Sequence, residues 1–128
     1  DIAAHYRAEV ALATLPRDRW GALGLNPGAG SGAICTAPVA VQAGGCDVIL
    51  NASGTGGILV DVCDERLAPI EGLSGPAAGR PEGGDGLDVP VRWERAGLAA
   101  VAGRSVRFLF RLRRGVPEPR LYAVYLKG

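Results

Sequence analysis

The sequence predicts an all-β fold, an antiparallel β-sandwich of the jelly-roll or concanavalin A-like kind with little or no helix. Three observations carry this. The 20 Gly and 9 Pro among 128 residues have no collagen period and no low-complexity tract, so they read as many turns between short elements. Apolar residues recur at every second position: in GRSVRFLFRLR (103–113), Val106, Phe108, Phe110 and Leu112 share one face, and Arg107, Arg111 and Arg113 the other. That is a strand with one side in a core and one in water. Eight or so such runs follow one another, none linked by a helix of useful length. The length is that of one domain, enough to bury roughly two-thirds of the unfolded surface, and 48% hydrophobic content supplies a core.

In order, residues 1–20 read as an entry segment from a preceding domain or an N-terminal strand, and 21–128 as the sandwich. AEVALATL (8–15) alternates Val10, Leu12 and Thr14 with small alanines and predicts a strand, stopped by Pro16. PRDRW (16–20) predicts a charged turn, GALGL (21–25) a short strand, and NPGAGSG (26–32) a turn. AICTAPVAV (33–41) is extended but split by Pro38, which donates no ladder hydrogen bond. CDVILNAS (46–53), GTGG (54–57) and ILVDVCD (58–64) predict a strand, a tight turn and a strand folded back as a hairpin. The stretch 65–86 exceeds ordinary loop length, which rarely passes about 15 residues, so it is either mobile or wraps an end of the fold. LDVPVRW (87–93) predicts an edge-like strand because of Pro90, and 98–102, bracketed by Gly97 and Gly103, a loop or 3₁₀ piece. The run at 103–113 and RLYAVYL (120–126) then form a hairpin-like pair holding four of the five Phe and Tyr residues.

Net charge is +1, with acids and bases mixed along the chain, so no general field attracts nucleic acid or an anionic membrane surface. No apolar run reaches the roughly 20 residues of a membrane-spanning helix. The chain begins at Asp1 with a strand-like run close behind, and reads as a piece of a longer protein. Its three cysteines, Cys35, Cys46 and Cys63, fit no zinc spacing. They read as buried free thiols, with a Cys35–Cys46 bridge as the alternative. A catalytic thiol needs a base, and the single histidine, His5, lies near the terminus. Glycoside hydrolysis needs two carboxylates about 5 to 10 Å apart. The acids, from Asp47 to Glu94, lie mostly in turns and on solvent sides, and none is singled out as a pair. Asp64 and Asp85 are the alternative setting for Ca²⁺, but no calcium-spaced loop is present. NPGAGSGA and SGTGG are followed by strands rather than helices, which excludes a dinucleotide cradle. No metal and no cofactor is expected.

The aromatics are the functional handle. Trp20, Trp93, Tyr122 and Tyr125 have flat faces and polar tips suited to stacking on sugar rings if exposed together, while a core role remains open for each. Tyr122 and Tyr125 have opposite parity on their strand, so at most one faces the core. Arg107 and Arg111, with Arg104, Arg113 and Arg114, form a basic strand face. It either takes a carboxylated ligand or a nucleic acid, or pairs across strands with residues such as Asp61 and Glu94. Leu109 interrupts that row, which marks the Arg107–Leu109–Arg111 face as a contact with another layer or partner.

The order ILVDVCDERLAPIEGLSG, GDGLDVPVRW, LAAVAGRSVRFLFRLRRG and RLYAVYL resembles the C-terminal β-sandwich of bacterial glycoside-hydrolase-like proteins of the invertase and levanase kind, which carry a five-bladed propeller in front. The carriers are a strand ending in an Asp turn (60–64), Gly84 and Asp85 before a strand ending in Trp93, a Leu-x-x-Leu/Val-Ala-Gly-Arg/Lys-x-Val-Arg segment (98–107), and a closing Leu121–Tyr122 strand. ATLPRDRWGALGL (13–25) is similar to the junction between propeller and sandwich. Two departures concern loops: Asp64-Glu-Arg-Leu stands where Asp-x-x-Gly is usual, and RRGVPEP is long. The catalytic acids of that family sit in the propeller. The resemblance therefore implies a non-catalytic accessory module that packs on a preceding propeller of the same protein, structural first, with oligosaccharide binding as a second role. The alternative is a protein–protein interaction or oligomerisation domain without glycan binding, acting through the arginine strand or an unpaired edge.

Overall fold

Alternation decides which face of a half-buried strand enters the core, and the computed structural model, which describes residues 8–128, has nine strands, of which β8 alternates most regularly. They are β1 (Leu23–Gly24), β2 (Ser31–Cys35), β3 (Val39–Ala40), β4 (Asp47–Ser53), β5 (Ile58–Cys63), β6 (Arg80–Pro81), β7 (Gly86–Arg92), β8 (Ser105–Arg113) and β9 (Arg120–Lys127). Among the described residues helix is limited to short 3₁₀ turns at Thr55–Gly57, Gly75–Ala77 and Leu98–Val101. The last is the 3₁₀ piece that Gly97 and Gly103 bracket.

Every pairing is antiparallel. One sheet runs β1-β9-β4-β7-β6. The other is centred on β8, with β5 along one edge and β2 then β3 along the other. Val48, Leu50, Ala52, Val89, Val91 and Leu121 of the first sheet meet Ile58, Val60, Val62, Val106, Phe108, Phe110 and Leu112 of the second, all buried. The molecule is an all-β antiparallel sandwich, as the alternation requires. Each fully buried Val, Leu or Phe contributes roughly 1.5–3 kcal/mol of transfer free energy.

Pairing departs from expectation at two places. β4 and β5 do not form a hairpin: β4 pairs with β7 and β9, and β5 with β8. Side by side they would have buried only one face of one sheet, whereas stacked face to face each covers the other's apolar row. The turn enforces this corner. Gly54 takes φ +63, and a Cβ there would overlap the Glu118 carbonyl and lie 2.7 Å from Pro119 Cα. The turn is thus seated under the β8–β9 connection, which crosses between sheets in the same way. β8 and β9 are therefore not a hairpin either.

Other corrections are local. Residues 8–15 form no strand and are exposed; their alternation finds no sheet edge among the described residues. Residues 69–79 of the 65–86 stretch lie along the outer edge of β5 rather than wrapping an end of the fold. Val60 and Gly79 exchange both backbone hydrogen bonds at 2.9 and 2.8 Å, and the Ile70 N–H donates to the Val62 carbonyl at 3.0 Å. An edge strand so covered is protected from intermolecular pairing. Pro90 lies on β7, which is second from the edge, though the short β6 reaches only Val91 and Arg92 in register. All three cysteines are free, so there is no Cys35–Cys46 bridge, and of the three only Cys63 is buried.

Candidate functional site

The outer face of the five-stranded sheet is crossed by residues 16–20. Pro16 opens the turn, and the Arg19 N–H closes it on the Pro16 carbonyl at 3.2 Å. Asp18 stands at φ 57, a left-handed conformation that Asp tolerates better than most residues. Beneath it Asn51 of β4 is fully buried among apolar neighbours, and its amide is satisfied by the strap alone. Asn51 Nδ2 donates to the Arg17 carbonyl at 2.6 Å, and Asn51 Oδ1 accepts from Arg19 Nε at 3.0 Å.

Two stacked pairs follow. The Arg19 guanidinium lies 4.4 Å from the centre of the Tyr122 ring, and that of Arg17 lies 5.1 Å from Tyr125. Arg17 Nη2 also donates to Asp88 at 2.7 Å and to the Leu87 carbonyl at 2.9 Å. Tyr125 Oη donates to Asp18. These contacts show in the titration of the site: the hydrogen bond from Arg17 lowers the Asp88 carboxyl below the usual range, and its reciprocal raises Arg17.

Tyr122 and Tyr125 therefore both reach the outer strap, although their parity on a regular strand is opposite. A register shift between Asn51 and Ala52, where β4 pairs β9, accounts for this: Ala123 faces Asn51, but Leu121 faces Ala52. The bulge turns Tyr122 outward while Leu121 keeps its place in the core. Trp20 follows the strap directly and is 87% exposed. Trp93 lies apart from these three. It is half-buried against the core, donates from Nε1 to the Leu73 carbonyl at 3.2 Å, and packs on Gly79, where a Cβ would come within 2.5 Å of its ring.

On the other sheet Arg107, Leu109 and Arg111 face outward together, and the 64–77 stretch folds over them. Arg107 donates to the Glu65 and Thr36 carbonyls at 2.9 and 3.1 Å. Arg111 forms a two-point ion pair with the buried Asp61 at 2.7 and 3.1 Å, the cross-strand partner expected for it. Leu109 lines an apolar groove with Ile70 and Pro69. The layer this leucine meets is thus supplied in part by the chain's own loop.

The carboxylates are held one by one. Asp85 accepts from the Thr55 N–H at 3.2 Å and Oγ1 at 3.3 Å, and hydrogen bonds from the Gly54 and Thr55 backbone hold its carboxyl below the usual range. Asp64 accepts from the Arg66 and Ala68 N–H groups at 2.8 and 2.9 Å, Glu82 pairs with Arg92 and Glu118 with Arg114. Among the described residues no three His, Cys, Asp or Glu gather as a metal set; His5 lies outside them. Sequence reasoning named the tyrosines but missed Arg17, Arg19, Asn51 and Asp88. The available signal was Asn51 itself, an amide in the middle of an apolar strand, which must find buried partners.

No protein-family model, no curated protein and no solved structure matches this chain.

Proposed function

We propose that the chain is a non-catalytic accessory β-sandwich module of a glycoside-hydrolase-like protein, structural first, packing against a preceding propeller domain of the same protein. The observation that carries this reading is the apolar side chains left bare on the entry segment. Val10 and Leu12 are fully exposed, Trp20 is 87% and Leu23 57% exposed, and Leu15 adds to them. Five large exposed apolar side chains within fourteen residues of sequence support a surface that a partner covers. Leu23 also borders an open apolar seam of about 420 Å³ between the sheets, lined by Ile34, Phe110, Leu121 and Val124.

Glycan contact is the second role of this module, with the exposed Trp20 as its surface beside Tyr122 and Tyr125, whose rings are stacked against Arg19 and Arg17. Trp93 is committed to the core side. Calorimetry of the longer protein tests the structural role. Replacing Val10, Leu12 and Trp20 together by Ser lowers the melting temperature of the preceding domain and leaves the sandwich's own transition in place. An unchanged preceding domain contradicts it. The oligomerisation reading draws on one observation: β9 pairs β1 only at Arg120 and Leu121, so its edge from 122 to 127 is free of backbone partners among the described residues. Sedimentation equilibrium separates the two, since a concentration-independent monomer removes the second reading.

A further inference from the structure

A groove of about 880 Å³ lies over the outer face of the second sheet, away from the tyrosine strap. The register makes it. Ala33, Arg111 and Leu59 stand in one cross-strand row, and Ser31 stands beside Arg113. Small residues on β2 and Gly56 and Gly57 before β5 leave the arginines of β8 uncovered on both sides. Arg80 closes the far wall. Arg111 holds Asp61 with Nε and Nη2, and its Nη1 makes no hydrogen bond among the described residues. Arg80 and Arg113 are exposed and make neither an ion pair nor a side-chain hydrogen bond among the described residues. Arg66, Arg95, Arg104 and Arg120 likewise make no ion pair among the described residues; here two such guanidiniums, Arg80 and Arg113, line one groove together with Leu59.

The chemistry of the walls selects the occupant. Guanidinium forks bind carboxylates by paired, charge-assisted hydrogen bonds. Arg111 and Arg113 stand two apart on one strand, their Cα atoms about 6.8 Å from one another, and Arg80 and Leu59 line the same groove. The central strand β8 is paired on both sides, whereas β2, which also lines the groove, is paired only to β8 among the described residues, so an acidic peptide is the competing occupant. No aromatic side chain lines the groove to stack a nucleobase. A chain of acidic sugars meets these terms, with repeated carboxylates on its edge and an apolar C–H face for Leu59.

We propose that this groove binds an acidic oligosaccharide, a short run of uronate sugars, with Arg80 and Arg113 as the carboxylate ligands and Arg111 in support. The inference shares with the preceding reading only the carbohydrate class of ligand and places it on a different face. Titration calorimetry of the whole chain with trigalacturonate tests it, with arabinotriose and hexaglutamate as comparisons. The expected result is one-site binding of trigalacturonate that weakens as salt rises. Arg113→Gln and Arg80→Gln each weaken it at least tenfold while circular dichroism stays unchanged, and Trp20→Ala leaves it intact. Absence of trigalacturonate binding, or binding indifferent to both arginine changes, overturns the proposal. Equal binding of hexaglutamate also overturns it, as plain ion exchange. Binding of arabinotriose alone, lost in Trp20→Ala, overturns it and leaves glycan contact at the tyrosine face standing.

Discussion

Asn51 joins the strap to the sheet, because both ends of its buried amide are satisfied by Arg17 and Arg19. Asn51→Ala removes both bonds and frees the strap from the face it covers. The expected loss is about 1–2 kcal/mol in urea unfolding, together with faster exchange of strap amides. Leu67 presents the opposite case. It stands at φ 68 in the turn after Asp64, exposed, where a side chain opposes the left-handed backbone and glycine does not. Leu67→Gly is expected to stabilise by about 0.5–1 kcal/mol, net of the glycine's greater freedom when unfolded, read as a rise in urea midpoint. Asp85 gives a pH signature. Its folded carboxyl is held below the ordinary carboxylate value of 3.8 because the Gly54 and Thr55 backbone N–H groups donate to it. A depressed carboxyl contributes stability above the unfolded pKa and loses it as pH falls through the folded one. Asp85→Asn should therefore be less stable than the parent at pH 6, with the gap closing as pH drops below 3.8.

Among the elements, the corner between β4 and β5 decides the topology. Gly54 is left-handed with Glu118 and Pro119 against it, whereas a Cβ on Gly56 meets nothing within 4 Å. Gly54→Ala should lower stability by about 2 kcal/mol or more through strain and displaced backbone, and Gly56→Ala should change it by less than about 0.5 kcal/mol. Thermal melts of the two variants make the comparison. This corner also shows where sequence reading stops. Alternation in ILVDVCD and SVRFLFRLR states which side chains point inward, and Ile58, Val60, Val62, Phe108 and Phe110 do. It does not state which sheet a strand joins, since an inward face reads the same from either side. The two tyrosines were legible as functional candidates, but their common outward direction depends on the Asn51/Ala52 register shift, a two-strand property absent from RLYAVYL alone. Arg17 and Arg19 read as a charged turn because a stacked guanidinium leaves no local spacing signal.

At the scale of the molecule, the sandwich is closed where its own elements can close it and bare where they do not. The 69–79 stretch lies along the edge of β5, and the strap covers Asn51 and both tyrosines, yet five large apolar side chains between residues 10 and 23 face solvent. The proposed accessory module, packed on a neighbouring domain, is one arrangement that would cover them. Hydrogen–deuterium exchange, run on this chain alone and on a longer protein carrying the domain that the proposal supposes, tests the claim directly. The account predicts slower exchange in the longer protein at residues 10–23 and along β1, with β5 and β8 unchanged. Identical exchange at 10–23 in the two samples would contradict it.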